Sequence, residues 1–353
     1  MVSNKLNKKI CLIVDSSLEF CPYVKNYIEI LDSCELDIIE WNRLKLTLDR
    51  KNTYIYEDST ASHQKNLIQY IKYSMFVKKV IKNKKYDCII VFGIQMSFFT
   101  KNIIKSVEYI IDIRDYHSIA KLPCTNKVLM KSSALIVSSP GYKRFLPEHS
   151  NILINHNYNG DILINKGISK IEMPKTVILS AIGANRDLEE NIKMIKNIGN
   201  DQRIKLHFNG KSIINDKIQE YCSENQIDNC FFTGFYDKKE EPELYSKSDI
   251  INSIRDNSNF NNSVALPNKL YNAAFFRKPI LTNSGSYLAE LITKYKIGLI
   301  VDDYSNITNI ILDYLNNLDV DEFNRNCELF LTDIEIENNL FKAYLQNINM
   351  EDK

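Results

Sequence analysis

No stretch of this chain approaches the roughly 18 uninterrupted apolar residues that a membrane-spanning helix needs. The apolar run "ICLIV", Ile10 to Val14, has the length of a strand. The first residues also lack the apolar core and cleavage site of a signal peptide. The expectation is a cytoplasmic protein, free or held by its surface at the inner face of the cell membrane. Charge of one sign is lacking too: 45 basic side chains face 44 acidic ones. No global field draws nucleic acid to such a chain. The eight cysteines form no CxxC pair, and several sit inside apolar runs such as "YDCIIV". They read as reduced, buried thiols rather than a disulfide framework. The five histidines are scattered, and no Cys/His cluster has ligand spacing. Neither a metal nor a resident cofactor is expected.

What is present is alternation. Short apolar runs ("KICLIV", "LDIIEW", "DCIIVFG", "YIIDIRD", "ALIVSS", "NILINHN") are separated by helical patterns, the longest from His63 to Lys85. A second series follows: "TVILSAIG", "IKLHFNG", "CFFTGFY", "DIINSI", "KPILTN" and "IGLIVD". Strands that are apolar throughout belong in parallel sheets covered on both faces. The chain therefore reads as α/β, with two Rossmann-like, doubly wound domains facing across a cleft. The first spans 1–157. The segment 158–174, polar and weakly patterned, is a linker. The second domain spans 175–330, and 331–353 is a C-terminal helix.

Doubly wound sheets bind ligands beyond the carboxyl ends of their strands. In the second domain, Gly183, Gly210 and Gly234 each follow a strand. One such glycine is weak evidence; three in successive units suggest close approach of backbone to a ligand. Arg186 and Lys211 lie beside the first two turns. Each suits a phosphate at a helix N-terminus, although a capped helix with a solvated arginine reads equally well. In "LPNKLYNAAFFRKPIL", Pro267 fits the first turn of a helix. Asn268 and Lys269 then stand at its open end, while Leu270, Ala273 and Ala274 face the sheet.

The order "SAIG", "FNGKS", "FTGFYD", "ELYSKSDI", "LPNKLYNAAFFRKPIL", "IGLIVD" resembles the nucleotide-sugar half of GT-B glycosyltransferases. It is most similar to the retaining family 4 enzymes of bacterial capsule, exopolysaccharide and O-antigen clusters. "IDIRDYHSI", "ALIVSSPGYKRFL" and "NILINHNYN" extend the likeness into the first half. The resemblance implies that the second domain binds a UDP- or GDP-sugar and the first an acceptor, with the C-terminal helix packing toward the first domain. It implies donor contacts from Gly183, Arg186, Gly210, Lys211, Phe235, Pro267, Asn268, Lys269 and Asn272. Roles in the chemistry fall to Asp115, Arg186 and Lys269. The family's two helix glutamates would fall at Val264 and Asn272, so both acids are missing. Asn272 can still bond a ribose hydroxyl, and restoring Glu there is expected to keep or improve binding.

Asp112, Arg114, Asp115 and His117 crowd one strand end, where a structural Asp–Arg pair is the alternative to chemistry. His156 and Asn157 read as structural. The Lys-rich helix 63–85 either lies on an anionic membrane, beside a lipid-linked saccharide acceptor, or is simply solvated. The expected activity is hexosyl transfer to that acceptor in surface polysaccharide synthesis, with retention. The alternatives are a non-catalytic sugar-nucleotide-binding or scaffold subunit, motivated by the missing acids, and an epimerase of the same fold.

Overall fold

The computed structural model describes residues 8–43, 51–58, 65–158 and 175–348. The linker expected at 158–174 lies outside them except for Tyr158, as do His63 and Gln64. The chain divides into two compact units. The first comprises Met1–Asn157 with Ile336–Lys353; the second is Tyr158–Glu335.

The first unit has strands β1 (Lys9–Ile13), β2 (Glu35–Asn42), β3 (Thr53–Glu57), β4 (Cys88–Phe92), β5 (Glu108–Ile113), β6 (Ala134–Val137) and β7 (Ile152–Ile154). Helices α1 (Val24–Ile30), α2 (Leu67–Ile81), α3 (Ile94–Ile104) and α4 (Pro123–Met130) connect them. The sheet order is β3-β2-β1-β4-β5-β6-β7, and every pairing is parallel. β4 is buried along its whole length, as its unbroken apolar run requires. β3 escapes the sequence reading because it is an edge strand. Its residues are only half-buried, so "TYIYE" carries no core-strand signal.

The second unit has strands β8 (Val177–Ile182), β9 (Ile204–Asn209), β10 (Cys230–Gly234), β11 (Ile250–Asn252), β12 (Ile280–Thr282) and β13 (Gly298–Ile300). Its helices are α5 (Leu188–Ile198), α6 (Ile213–Glu224), α7 (Glu241–Ser246), α8 (Phe260–Val264), α9 (Asn268–Phe275), α10 (Tyr287–Tyr295), α11 (Ile307–Asn316) and the start of α12 (Val320–Ile348). The order β10-β9-β8-β11-β12-β13, again all parallel, reverses between β8 and β11. One core, with Met194, Ile218 and Ile311, buries α5, α6 and α11. The other, with Tyr245, Leu270, Ala273, Ala274 and Leu288, buries α7, α9 and α10.

Helix α12 serves both units. Phe323, Cys327, Phe330 and Ile334 join the core of the second unit. Phe341, Leu345 and Ile348 join that of the first. Their three- and four-residue spacing keeps one face apolar. In the first unit a ring nitrogen of the buried His156 meets Glu337 at 2.6 Å, and Asn338 accepts from the His156 N–H at 2.9 Å. These bonds tie the last part of α12 to the end of β7.

Candidate functional site

The reversal of strand order leaves a crevice between the turns that follow β8 and β11. Gly183 ends β8 with φ +91° and Gly210 ends β9 with φ +129°. A Cβ on Gly210 would lie 2.6 Å from the Gly183 carbonyl oxygen. The two turns therefore touch, and only glycine fits the second. Side chains lock them together. Asn215 donates to the Gly210 carbonyl at 2.8 Å, and the Ser212 hydroxyl donates to the Asn185 carbonyl. Across the crevice, Asp187 accepts from the Asp256 N–H at 3.1 Å.

Lys269 is the second residue of α9, whose N-cap is Pro267. It is half-buried. Burial, with the charge of Arg255 beside it, pushes its ammonium down to about 8; the Asp187 carboxylate opposes that shift. Among the described residues it forms no ion pair. A cation that is desolvated, near a like charge and unpaired suits a bound anion. Arg255 itself donates to the Ala265 carbonyl at 3.1 Å, which fixes the guanidinium under α8 and α9.

The structure thus brings Gly183, Gly210 and Lys269 to one edge of the second sheet, with Asn185, Asp187, Ser212, Asn215 and Arg255 as support. Arg186, Lys211 and Asn268 are exposed beside them, and Pro267 is half-buried. Phe235 is 80% exposed in the loop after β10. Asn272 is buried, and its amide donates to Glu241 Oε1 at 3.2 Å. Burial raises the Glu241 carboxyl above the ordinary carboxylate range, with the Lys238 charge and the Asn272 hydrogen bond pulling the other way. The sequence reading passes over Glu241 because it lies in the charge run "DKKEEPE", which looks like a solvated turn.

In the first unit, Asp112 is fully buried and bound by Arg114 at 2.6 and 2.7 Å, with the Tyr27 hydroxyl on the same carboxylate. Arg114 also donates to Asn157 Oδ1 at 3.1 Å and lies 4.3 Å over the Tyr23 ring. This is the structural pair weighed above. His117 uses Nδ1 to accept from the Ile119 N–H, capping a short 3-10 turn. Asp115 is exposed just beyond the strand. Among the described residues, no three His, Cys, Asp or Glu side chains gather as metal ligands. No helix there is long and apolar enough to cross a membrane.

Residues 163–329 match the family model for glycosyl transferases group 1. The match covers most of the second unit, including every turn of the crevice. The chain is a glycosyltransferase. No curated protein matches the glycosyltransferase. Solved structures do, at low identity and with the whole GT-B architecture. Sucrose-phosphate synthase from Thermosynechococcus elongatus is 12% identical with a TM-score of 0.68, over 96% of this chain and 99% of its own. HepE from Anabaena, solved with UDP and glucose, is 12% identical with a TM-score of 0.66, over 97% and 100%. The lipopolysaccharide outer core galactosyltransferase WaaB is 12% identical with a TM-score of 0.65, over 95% and 99%.

Proposed function

We propose that this glycosyltransferase moves a hexose from a UDP- or GDP-sugar to a hydroxyl of a lipid-linked saccharide, with retention, in surface polysaccharide synthesis. The observation that carries the reading is the glycine-lined crevice of the second unit, with the unpaired Lys269 at its rim, inside the segment that matches group 1 glycosyl transferases. HepE, of the same fold, is described with UDP and glucose, and WaaB is a lipopolysaccharide galactosyltransferase. Both support a sugar nucleotide as donor.

In this reading the donor's diphosphate lies against the Gly183 and Gly210 turns. As the bond from the anomeric carbon to the diphosphate oxygen breaks, negative charge grows on the leaving group. Lys269 and Arg186 stabilise it, aided by Lys211 and the α9 N-terminus. The acceptor oxygen bonds to the anomeric carbon, and its proton passes to the departing phosphate. Asp115, in the first unit, orients the acceptor, for which that unit is the binding domain. Asn268, Pro267 and Phe235 line the donor's path, and no cofactor takes part.

The lipid-linked acceptor is supported by α2. Helical periodicity of about 100° per residue puts Leu67, Ile68, Ile71, Met75, Lys78, Lys79 and Lys82 on one side. Leu67, Ile68 and Met75 are more than 60% exposed there. The opposite side buries Tyr70, Tyr73 and Val77. An apolar stripe that continues into lysines suits the anionic inner surface of a cell membrane.

The test is donor turnover. The protein is incubated with UDP-glucose, UDP-galactose, UDP-N-acetylglucosamine and GDP-mannose, and released nucleotide is measured. Slow hydrolysis of one donor is the expected result. No release with any donor favours a scaffold subunit, and an altered sugar nucleotide favours an epimerase. Either result rejects the proposal.

A further inference from the structure

Glu241 opens α7 and Asn272 lies one turn inside α9, 31 positions apart in the chain, yet the Asn272 amide reaches the Glu241 carboxylate at 3.2 Å. The buried Tyr245 side chain lies beside the same Asn272 amide, which opposes the rise that burial gives its phenol. Tyr245 in turn stacks on Phe276 at 5.0 Å, which fixes α7 against α9. The corner adjoins the crevice. Helix α7 packs on β8, and the Tyr236 hydroxyl, close enough to feel the Glu241 charge, lies 4.0 Å from where a Gly183 Cβ would sit.

We propose that Glu241 is the carboxylate that grips the ribose of the donor nucleotide, with Asn272 as its positioning residue. The inference rests on the donor reading of the second unit and adds the group that recognises the sugar of the nucleoside. An ionised carboxylate has about four acceptor sites. The Asn272 amide uses one of them. A ribose offers two neighbouring hydroxyl donors, which a carboxylate accepts one on each oxygen. A half-buried acid held by one amide and, among the described residues, by no ion pair costs folding free energy. The N-terminus of α7 favours an acid at its first turn, and a diol that replaces the lost water gives the buried carboxylate its remaining partners.

The experiment is calorimetry on the full chain with UDP and GDP, each beside its 2′-deoxy counterpart. The parent is expected to bind one ribonucleotide and to lose roughly ten- to a hundredfold in affinity when the 2′-hydroxyl is absent, as for a hydrogen bond to a charged group. Glu241→Gln keeps the shape of the side chain but not its charge, so it lowers ribonucleotide affinity by a similar factor and narrows the preference over the deoxy form. Contrary to the expectation from sequence, Asn272→Glu alone weakens binding, because Glu241 already lies against that position and the change sets two carboxylates together. Adding Glu241→Gln to it recovers much of the loss. Thermal melting of each variant separates lost binding from lost folding. If the parent binds a ribonucleotide without preference over the deoxy form, the inference falls. It falls too if Glu241→Gln leaves affinity and preference within twofold of the parent. In either case the donor reading stands. If the parent binds neither UDP nor GDP, the donor reading itself fails.

Discussion

Nε and Nη2 of Arg114 donate to separate oxygens of Asp112, at 2.6 and 2.7 Å, in the interior of the first unit. The fork-to-fork geometry and the Arg114 bond to the Asn155 carbonyl at 2.9 Å hold the β5 and β7 ends together. Removing one partner strands the other. Asp112→Asn is expected to cost about 3–5 kcal/mol, the range for breaking a buried ion pair from one side. Chemical denaturation measures it, and a loss below about 1 kcal/mol contradicts the structural role.

Lys269→Ala is expected to cut turnover by roughly ten- to a hundredfold, the effect of one lost charge-assisted contact. A lysine that only lies along the helix, its charge in water, leaves both kinetic constants within about twofold. Steady-state kinetics on the donor that the turnover panel selects decides between them.

The same lysine gives a pH signature. Burial pushes its ammonium down to about 8 in the folded chain, from the ordinary 10.5. The cation that meets the diphosphate is therefore lost as pH rises past that lower value, and KM for the donor is expected to climb there. Lys269→Arg flattens the climb, because guanidinium keeps its charge. Stability runs the other way. The unfolded chain holds the extra proton between the two values, so this group makes the ligand-free fold more stable as pH rises through that window.

Gly210→Ala is expected to damage both stability and nucleotide binding. Its φ of +129° is strained for alanine, and the new Cβ meets the Gly183 carbonyl at 2.6 Å. The cost is about 1–3 kcal/mol from backbone strain alone, read as a lowered melting temperature. Lys211→Ala, one residue on and at an exposed position, leaves the melting temperature within about a degree, as surface changes do.

Replacing Lys78, Lys79 and Lys82 by Glu is expected to abolish sedimentation with anionic vesicles while donor hydrolysis in solution persists. Ile68→Ser with Met75→Ser, on the apolar half of the same stripe, weakens sedimentation without changing charge. A parent protein that ignores the vesicles leaves α2 as a solvated helix.

Much of the site was legible as spacing. Gly183 and Gly210 announce themselves because each follows an apolar run, and a strand end that needs positive φ admits few other residues. Pro267 before Asn268 and Lys269 announces a helix start for the same local reason. Asp112 was legible only as one side of an open alternative, and the place of Glu241 was not legible at all. Asp112 stands in a crowded "DIRD" whose members look alike until the fold sends one inward. Glu241 is one of several acids in a row, and nothing near it in sequence names Asn272.

The sequence by itself determined the two parallel α/β units and the apolar face of α9. Those follow from periodicity, which acts over a few residues at a time. It also determined that the acids expected at Val264 and Asn272 are missing. Only the tertiary structure decided that a carboxylate returns beside Asn272 from α7, and that Lys269 is desolvated. Both depend on which helices pack together on the sheet, and burial and the pairing of charges are set by neighbours distant in the chain.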